Sequence, residues 1–530
     1  MSVDFDIIIV GSGPAGISAA FPLVESGLNV LMVDGGKQSI VPLLENDYLS
    51  TRTSDSEQWK WMIGEDFHAL KMRDALSPKL RVPAQAYSFA EFNSRNNIES
   101  TSYISVGSLA TGGLSNSWGC GVAKYSAAEI KQFPFPHSDI ELSYANVSLR
   151  IGISGKANDD MSEYFGLDDY AQSPINMDIS HSYLSRNYLK RKKKLNAQGF
   201  KMGLSRVAAL SKDIANRKAC NLSGNCLWGC KRQSLYSSAD ELPNLRIHKN
   251  FREHSGFIVE NLDKKEGYWQ VKGQDITDNS YKTYTAKKVV MAAGTLATTR
   301  IVLQTLKFTN SVPLYSSPSA AFLLWLPRFL GLKRQSGFGL GQLSYALNID
   351  DSITAFGSTF ATTGIPLSEF ARYVPFRRPY GIELLRTLLS SCVAGNLFLP
   401  GNLTNAEAQL TSKNSLKVLG HYSDKVKPLM NQAQKKIRKT YARLGAILLP
   451  RTFMIGQPGG DIHYVGTLPM KNLPSIGETS STGEVKGLDG IYVVDGACLP
   501  FLTEKSHTLT IMANADRIGK YISKNVYLHK

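Results

Sequence analysis

Short runs of consecutive apolar, mostly β-branched residues recur at widely separated points of the chain. They read DIIIV at 6–10, NVLMV at 29–33, VVMAAG at 289–294 and IYVVDG at 491–496. Strands that lose the usual alternation of apolar and polar residues are buried on both faces, as in parallel sheets. The pattern therefore predicts one buried sheet whose strands come from both ends and the middle of the chain.

Alternating and helical patterns fill part of the sequence between these runs. Three segments alternate like antiparallel strands: 245–251, 256–262 and 268–273. Helical patterns cover 17–26, 296–306 and 508–522. Pro22 lies inside the first of these helices, so we expect a kink or a shift of register there. Together the patterns predict an α/β chain, α+β overall, with long insertions into a discontinuous first domain.

Glycines follow the first buried run at once, in the order Gly11-Ser12-Gly13-Pro14-Ala15-Gly16. Gly11 allows a tight turn, Gly13 lets the backbone approach a pyrophosphate, and Gly16 lets the following helix pack closely on the strand. Asp34 ends the next strand and can accept hydrogen bonds from ribose hydroxyls. Strand, glycines, helix and acidic residue together predict a site for FAD or NAD, between which the motif does not choose.

A second glycine-rich segment surrounds one tryptophan at residues 111–121 (TGGLSNSWGCG). So many small residues beside one large ring are typical of backbone that lies against a flat ligand. An ordinary loop with a packing tryptophan explains the composition equally well.

Composition and charge describe a globular chain with an excess of cations. Of its 530 residues 43% are hydrophobic and 20% charged, and the net charge is +16. Basic runs at 186–194 and 427–443 are read either as solvated helix faces or as sites for anionic partners. The chain has no zinc-finger spacing and no aromatic RNA-binding signature, so we expect no nucleic-acid partner.

Six cysteines in a chain of this length do not form a disulfide scaffold. The amino terminus leads directly into a strand, and no apolar run reaches the ~18 residues needed to span a bilayer. We therefore expect a cytoplasmic chain with reduced thiols. Cys220, Cys226 and Cys230 depart from the iron–sulfur spacing C-x2-C-x2-C-x3-C, so we expect no metal, with a three-iron cluster as the minor alternative. Cys120 and Cys498 are read as buried fillers.

Motifs near the carboxyl terminus resemble those of the glucose–methanol–choline (GMC) family of FAD-dependent oxidoreductases. His463-Tyr464-Val465-Gly466-Thr467 is similar to the family's HxxGT element, and residues 493–500 (VVDGACLP) to its VVD…P element. Residues 506–515 are similar to the closing His/Asn element and helix, and 290–299 to the strand–Gly–helix. The resemblance implies FAD as cofactor. It also implies a Rossmann-like FAD-binding domain and a discontinuous substrate domain built on an antiparallel sheet.

The resemblance gives domain boundaries and cofactor contacts. We assign residues 1–40, 100–150, 236–305 and 455–530 to the FAD-binding domain, and 41–99, 151–235 and 306–454 to the substrate domain. The expected FAD contacts are Gly11, Ser12, Gly13, Pro14, Ala15, Gly16, Asp34, Gly112, Gly113, Ser115, Asn116, Trp118, Gly119, Ala293, Gly294, Asp495, Gly496 and Thr508. Asp495 has a second reading, as a strand-end carboxylate that caps the next turn. The helix beginning near Thr508 can direct its dipole at the flavin.

The segment 112–121 looks most like the pyranose oxidase and sugar-dehydrogenase branch. In pyranose oxidase a histidine of this loop carries a covalent flavin link, whereas the matching position here is Ser117. We therefore expect non-covalent FAD, with Asn116 and Trp118 beside its ring system.

The implied reaction takes a hydride and a proton from the CH–OH group of an alcohol or sugar, giving an aldehyde or ketone. An imidazole suits the proton transfer because its pKa lies near neutrality. We expect His463 to be the base and His507 to hold the substrate oxygen, with exchanged roles as an alternative. The electron acceptor (oxygen, a quinone or a carrier protein) stays open. The rival readings are a GMC-like lyase that uses FAD structurally and a non-catalytic dinucleotide-binding protein.

Two apolar segments with flanking cations stand out in the part of the chain without family motifs. Residues 319–334 join aromatic and aliphatic side chains to Arg328, Lys333 and Arg334, and residues 370–399 repeat the theme. The latter carries its cations at Arg372, Arg377, Arg378 and Arg386. Such segments are typical of membrane-interface attachment or a lid, of core elements beside the substrate cavity, or of a dimer contact. If the membrane reading holds, a lipid-linked or amphipathic alcohol becomes the expected substrate.

Overall fold

The computed structural model describes residues 3–71, 77–371 and 377–526. Residues 372–376, which include Arg372 of the predicted segment 370–399, lie outside this description. The strands are, in chain order, β1 Phe5–Val10, β2 Val30–Asp34, β3 Ile98–Thr101, β4 Ile153–Ser154, β5 Ala171–Gln172, β6 Phe200–Leu204, β7 Phe251–Ser255, β8 Phe257–Lys265, β9 Tyr268–Asp275, β10 Tyr281–Met291, β11 Val312–Leu314, β12 Ser319–Trp325, β13 Leu343–Asn348, β14 Thr354–Ala361, β15 Cys392–Phe398, β16 Thr404–Leu410, β17 Leu416–Tyr422, β18 Ile447–Leu448, β19 Met454–Ile455 and β20 Ile491–Val493.

Helices, many of them short, connect and cover these strands. In chain order they are α1 Pro14–Glu25, α2 Tyr48–Ser54, α3 Trp59–Ile63, α4 Ala86–Phe89, α5 Phe92–Arg95, α6 Ala127–Ile130, α7 Ser138–Ile151, α8 Ser162–Phe165, α9 Ile179–Asn196, α10 Leu242–Arg246, α11 Thr295–Leu306, α12 Ser368–Ala371, α13 Arg378–Leu388, α14 Val426–Leu444 and α15 Thr508–Asn525. The four longest, α7, α9, α14 and α15, pack one face on the cores described below.

The first sheet is parallel in its centre, in the order β7-β2-β1-β10-β20. Its central residues are fully buried, as the uninterrupted apolar runs predict. Strands β8 and β9 extend this sheet as an antiparallel hairpin that pairs with the first half of β10. The predicted mixed α/β architecture, with strands drawn from both termini and the middle, is confirmed.

Two local predictions for this region were wrong or need adjustment. The alternating segment 245–251 is not an antiparallel strand, because α10 occupies its beginning and β7, starting at Phe251, pairs in parallel with β2. The alternation misled because Ile247 is 77% exposed and joins no buried face. Helix α1 continues through Pro22, whose ring lies near Gly519 of α15 in a close helix–helix contact.

The second large sheet is antiparallel, in the order β18-β12-β15-β14-β13-β6, with β19 also pairing with β12. Alternate residues of its strands, such as Val393 and Leu397, form a core with α9 and α14 on one face. The other face carries Asn396 and Phe398 and closes over the cavity described below. The predicted antiparallel sheet therefore has one face for its own core and one for a ligand.

The apolar segment 319–334 begins as a central strand of this sheet. Strand β12 pairs along its whole length with β15, and Phe322 and Leu324 are buried under α14. Of the readings given above for this segment, residues 319–326 therefore match that of a core element beside the cavity. Leu330 and Leu332, which follow them, are exposed. The end of segment 370–399 is likewise a strand, β15.

A third sheet, in the order β11-β16-β17-β3, packs with the core of the first one. Ala408 and Val418 of this sheet are buried in that core, although they fall within the predicted range of the substrate domain. The division of the chain into 1–40, 100–150, 236–305 and 455–530 against the remainder stays a prediction.

Candidate functional site

One cavity of about 500 Å³ lies between the carboxyl ends of the parallel strands and the open face of the antiparallel sheet. Ligands of open α/β sheets bind at this end of the strands. Most of the predicted contacts line the cavity: Gly11, Ser12, Gly13, Pro14, Ala15, Asp34, Gly113, Ser115, Trp118, Gly119, Ala293, Gly294, Asp495, Gly496, Thr508, His463 and His507. The predicted contacts Gly16, Gly112 and Asn116 do not line it.

The three glycines of the first turn differ in what surrounds them. Gly11 has a φ of +110°, and a Cβ there would lie 2.2 Å from the Ala292 carbonyl oxygen. A Cβ on Gly16 would lie 1.9 Å from the Gly11 carbonyl oxygen, so α1 packs directly against the turn. A Cβ on Gly13 would meet no heavy atom closer than the Gly113 Cα, at 4.0 Å. Gly11 and Gly16 are therefore required by packing, and Gly13 leaves open space towards the cavity.

The amino terminus of α1 opens at this turn. Gly13 is its N-cap, no side chain caps it, and Pro14 occupies the first helical position. The free N–H groups and the positive end of the helix dipole together favour an anion such as a phosphate.

Asp34 ends β2 at the same cavity. Its carboxylate accepts hydrogen bonds from the Ser12 hydroxyl, the Ser255 hydroxyl (2.9 Å) and the Gly36 N–H (3.0 Å). Burial raises the pKa of this carboxyl above its usual value. The network holds Asp34 at the strand end, where an acidic residue meets the ribose in dinucleotide-binding folds.

The segment 112–121 is tied to the dinucleotide turn by hydrogen bonds. The Gly112 N–H donates to the Ser12 hydroxyl at 2.9 Å, and the Ser115 hydroxyl donates to the Gly112 carbonyl at 2.6 Å. The Asn116 side chain is used within the loop, donating to the Thr111 and Gly113 carbonyls at 2.9 and 3.0 Å. The expectation that Asn116 faces the cofactor ring is therefore not met in this structure.

Trp118 and Gly119 of this segment do reach the cavity. The indole N–H of Trp118 donates to the Tyr236 carbonyl at 2.8 Å, which fixes the ring. A Cβ on Gly119 would meet nothing within 4 Å, so its backbone is open to a ligand. Ser117 also lines the cavity, and its hydroxyl bonds Gln85 and Ser88.

The Asp495 carboxylate binds both the turn after β20 and the wall of the cavity. Its carboxylate accepts from the Gly294 N–H at 2.9 Å and from the Ala497 N–H at 3.0 Å, and also from the Thr298 hydroxyl. Burial raises the pKa of this carboxyl to about 6. The contacts show the predicted capping role, and they also hold Gly294 at the cavity wall.

His463 and His507 lie together at the other end of the cavity. Their ring centroids are 4.8 Å apart and their planes are inclined by 75°. His507 stands just before α15 and its Nδ1 has no hydrogen-bond partner among the described residues. Burial lowers the pKa of His463 to about 4 and that of His507 well below its usual value. Both rings are therefore neutral near pH 7 and able to accept a proton.

Asp461 is a residue of this site that the sequence reasoning missed. Its Oδ2 lies 3.4 Å from Nδ1 of His463 and accepts the Ser317 N–H at 2.8 Å, whereas its Oδ1 has no partner among the described residues. Burial raises the pKa of the carboxyl well above its usual value. Burial therefore favours the neutral form of this carboxyl beside the His463 ring. The only signal in the sequence is an aspartate two positions before the histidine.

Further missed residues lie on the antiparallel sheet above the cavity. The hydroxyls of Ser205, Ser344 and Ser358 form a chain across three neighbouring segments, with separations of 2.7 and 2.9 Å. The side-chain Oδ1 of Asn396 accepts the Ser358 N–H at 2.7 Å, which leaves the side-chain N–H groups for a ligand. Lys79 lines the same cavity, and burial lowers the pKa of its amine to about 8. Single serines and asparagines on strands carry no motif that marks them as ligand contacts.

Cys220, Cys226 and Cys230 are partly buried free thiols. Burial raises the pKa of Cys220 and Cys226. Within residues 3–71, 77–371 and 377–526, no three His, Cys, Asp or Glu side chains are grouped so as to hold a metal ion. Cys120 and Cys498 are fully buried, as expected of filler residues.

The residues present fit an FAD molecule. Gly13, Gly119 and Gly294 present open backbone along one cavity, with Asp34 and the start of α1 at one end and the histidines at the other. A model described as an FAD binding domain matches residues 6–41, and one described as GMC oxidoreductase matches residues 426–515. Together the two matches support a GMC-family FAD oxidoreductase.

The same matches support FAD as the cofactor of an oxidoreductase, and they confirm the predicted Rossmann-like FAD-binding fold with a substrate domain. A search of curated proteins finds no significant match. None of the helices in the described residues is long and apolar enough to cross a membrane.

Proposed function

We propose that this protein is a GMC-family oxidoreductase that removes a hydride and a proton from the CH–OH group of an alcohol or sugar. The observation that carries the proposal is the pair of neutral imidazoles, 4.8 Å apart, at one end of the cofactor cavity. An alcohol loses its hydride readily only when its hydroxyl proton is removed in the same process, and a neutral imidazole is a suitable base.

The side chains divide the work as follows. FAD, when bound, supplies the hydride acceptor. We assign the hydroxyl proton to Nε2 of His463, because its Nδ1 lies on the side of the Asp461 carboxyl, 3.4 Å from Oδ2. His507 holds the substrate oxygen, and the amino terminus of α15 at Thr508 favours negative charge at its end of the cavity. The antiparallel sheet closes over the cavity and excludes water.

Support for a polyhydroxylated substrate comes from the face of that sheet. Ser358 and Asn396 offer hydroxyl and amide groups between the rings of Phe356, Phe360 and Phe398. Sugars present the same combination of hydroxyl groups and apolar C–H faces. We therefore propose a sugar rather than a simple aliphatic alcohol, which agrees with the resemblance of residues 112–121 to the pyranose oxidase branch.

We also propose that FAD is held without a covalent bond. Ser117 stands at the position of the linking histidine, and a serine hydroxyl that is bonded to Gln85 and Ser88 cannot replace the imidazole in that link. Acid precipitation should release all the flavin into the supernatant, and flavin retained on the polypeptide would contradict this.

A substrate screen tests the proposed reaction. The FAD-loaded protein is mixed anaerobically with sugars and alcohols, and the flavin absorbance and the appearance of carbonyl product are followed. Bleaching together with one equivalent of aldehyde or ketone is expected for at least one sugar. Turnover with unbleached flavin would favour a lyase, and binding of FAD without any turnover would favour a non-catalytic protein.

A further inference from the structure

The excess positive charge of the chain is concentrated on two helices that lie side by side. Helices α9 and α14 each carry six Lys or Arg and no Asp or Glu, so together they account for twelve of the sixteen excess charges. The Asn187 side chain of α9 donates to the Leu444 carbonyl of α14 at 2.8 Å. Both helices pack on the same face of the antiparallel sheet.

The exposed cations of these two adjacent helices are here together named the cationic face. It consists of Arg186, Lys190, Arg191, Lys192, Lys193, Lys194, Lys427, Lys435, Arg438 and Lys439. Among the described residues only Lys192 of this set has an ion pair, with Asp160 at 2.5 Å. A surface with so many uncompensated cations is expected to attract an extended anion.

Exposed apolar side chains accompany the cations. Leu189 is 62% exposed within α9 itself, and Leu330 and Leu332 are 50% and 45% exposed in the adjoining turn. That turn contacts α9 through the rings of Phe329 and Tyr183, whose centroids are 5.4 Å apart. Soluble polyanions recognise cations without such leucines, whereas a bilayer surface accommodates both.

We propose that the cationic face and the turn at Leu330–Leu332 bind the surface of an anionic phospholipid membrane. The antiparallel sheet separates this face from the catalytic cavity, because Val393 and Leu397 point to the helices and Asn396 and Phe398 line the cavity. The enzyme is thus held at the membrane while its cavity lies on the far side of the sheet. This arrangement does not require a lipid-linked substrate.

Vesicle flotation of the full-length, FAD-loaded protein tests the proposal. Binding to phosphatidylcholine vesicles with about one third phosphatidylglycerol is expected at low salt. It should be lost in pure phosphatidylcholine and in molar salt, where the Debye length falls to about 3 Å. Protein that stays unbound with the anionic vesicles at low salt would overturn the proposal.

Variants locate the binding surface. Because each cation near an anionic membrane contributes about 1 kcal/mol, K190Q/R191Q/K193Q/K194Q should weaken partitioning on the order of 100- to 1,000-fold. The matched control K249Q/R252Q/K265Q/K413Q removes four exposed cations elsewhere and should bind within about threefold of wild type. An equal loss in both variants would overturn the assignment. K427Q/K435Q/R438Q/K439Q repeats the test on α14 should the α9 variant fail to retain FAD.

A third variant separates a membrane from other polyanions. L330S/L332S should reduce vesicle binding about tenfold or more, because each buried CH₂ contributes about 0.8 kcal/mol. It should leave retention on heparin unchanged. Unchanged vesicle binding by L330S/L332S would overturn the membrane assignment in favour of an acidic protein or a nucleic acid.

Discussion

Replacing Gly13 with alanine separates cofactor binding from folding. Gly13 has a φ of −66°, which alanine adopts without strain, and its new Cβ would come no closer than 4.0 Å to another heavy atom. The apoprotein should therefore keep its stability or gain up to about 1 kcal/mol, since alanine restricts the unfolded chain. The methyl group would nevertheless project into the space where the first N–H groups of α1 meet a phosphate.

The expected loss of FAD affinity follows from those N–H groups. A hydrogen bond to a charged group contributes about 1.5–3 kcal/mol, so displacing the phosphate from one such donor weakens binding roughly 10- to 150-fold. Gly16→Ala is the matched control. Its Cβ would lie 1.9 Å from the Gly11 carbonyl oxygen, and moving α1 away costs about 1–3 kcal/mol of folding free energy.

Two measurements on the same proteins check this. Titration of apoprotein with FAD, followed by flavin fluorescence, gives the affinity, and urea unfolding of the apoprotein gives the stability. Gly13→Ala should lose affinity and keep stability, and Gly16→Ala should lose stability. Wild-type FAD affinity in Gly13→Ala would refute the assignment of this turn to the pyrophosphate.

Further predictions concern the histidine pair and the sheet above it. Because burial lowers the pKa of His463 to about 4, the base is already deprotonated above that pH. We therefore expect kcat/KM to rise up to about pH 5 and then to stay level to pH 8. A rise centred near pH 6.5 would contradict the account. Asp461→Asn should keep kcat within about threefold, because its amide resembles the neutral carboxyl. Asp461→Leu should lower kcat about 10- to 100-fold, because it removes the polar group beside the His463 ring. The two pH profiles distinguish positioning from structural damage, and a large loss in Asp461→Asn would mean that the ionised carboxylate is required. Asn396→Leu should raise KM for the best sugar substrate about tenfold, because a hydrogen bond of about 1.5 kcal/mol is lost. It should leave KM for a simple aromatic alcohol unchanged. Equal effects on both substrates would show that Asn396 does not take part in sugar recognition.

Local spacing explains why the sequence predicts so much of the cofactor site. Gly11, Gly13 and Gly16 all lie where β1 passes into α1, where two are required by close packing and one leaves open space, so their order along the chain is itself the structural requirement. His463 and His507 lie 44 positions apart and are brought together by tertiary structure, and only their resemblance to family motifs indicated the pair. Asn116 was predicted from the same kind of motif but turns into its own loop.

Residues that reach their positions through strand pairing over long stretches of the chain could not be predicted from the sequence. The apolar stretch containing Phe322 and Leu324 has the composition of an interfacial helix, and it becomes a buried strand because β15, some 70 positions later, pairs with it. Ser344, Ser358 and Asn396 share one cavity wall only through that sheet register. The proximity of Asp461 to His463 depends on the backbone between them, which the sequence pattern does not specify.

Rapid anaerobic mixing of the FAD-loaded enzyme with its best sugar or alcohol substrate tests the central claim most directly. The wild-type flavin should bleach within the time of one turnover. His463→Ala, with FAD still bound, should bleach at least about 100-fold more slowly, as expected for loss of a general base. Bleaching of His463→Ala at the wild-type rate, or wild-type flavin that stays yellow during turnover, would contradict the account.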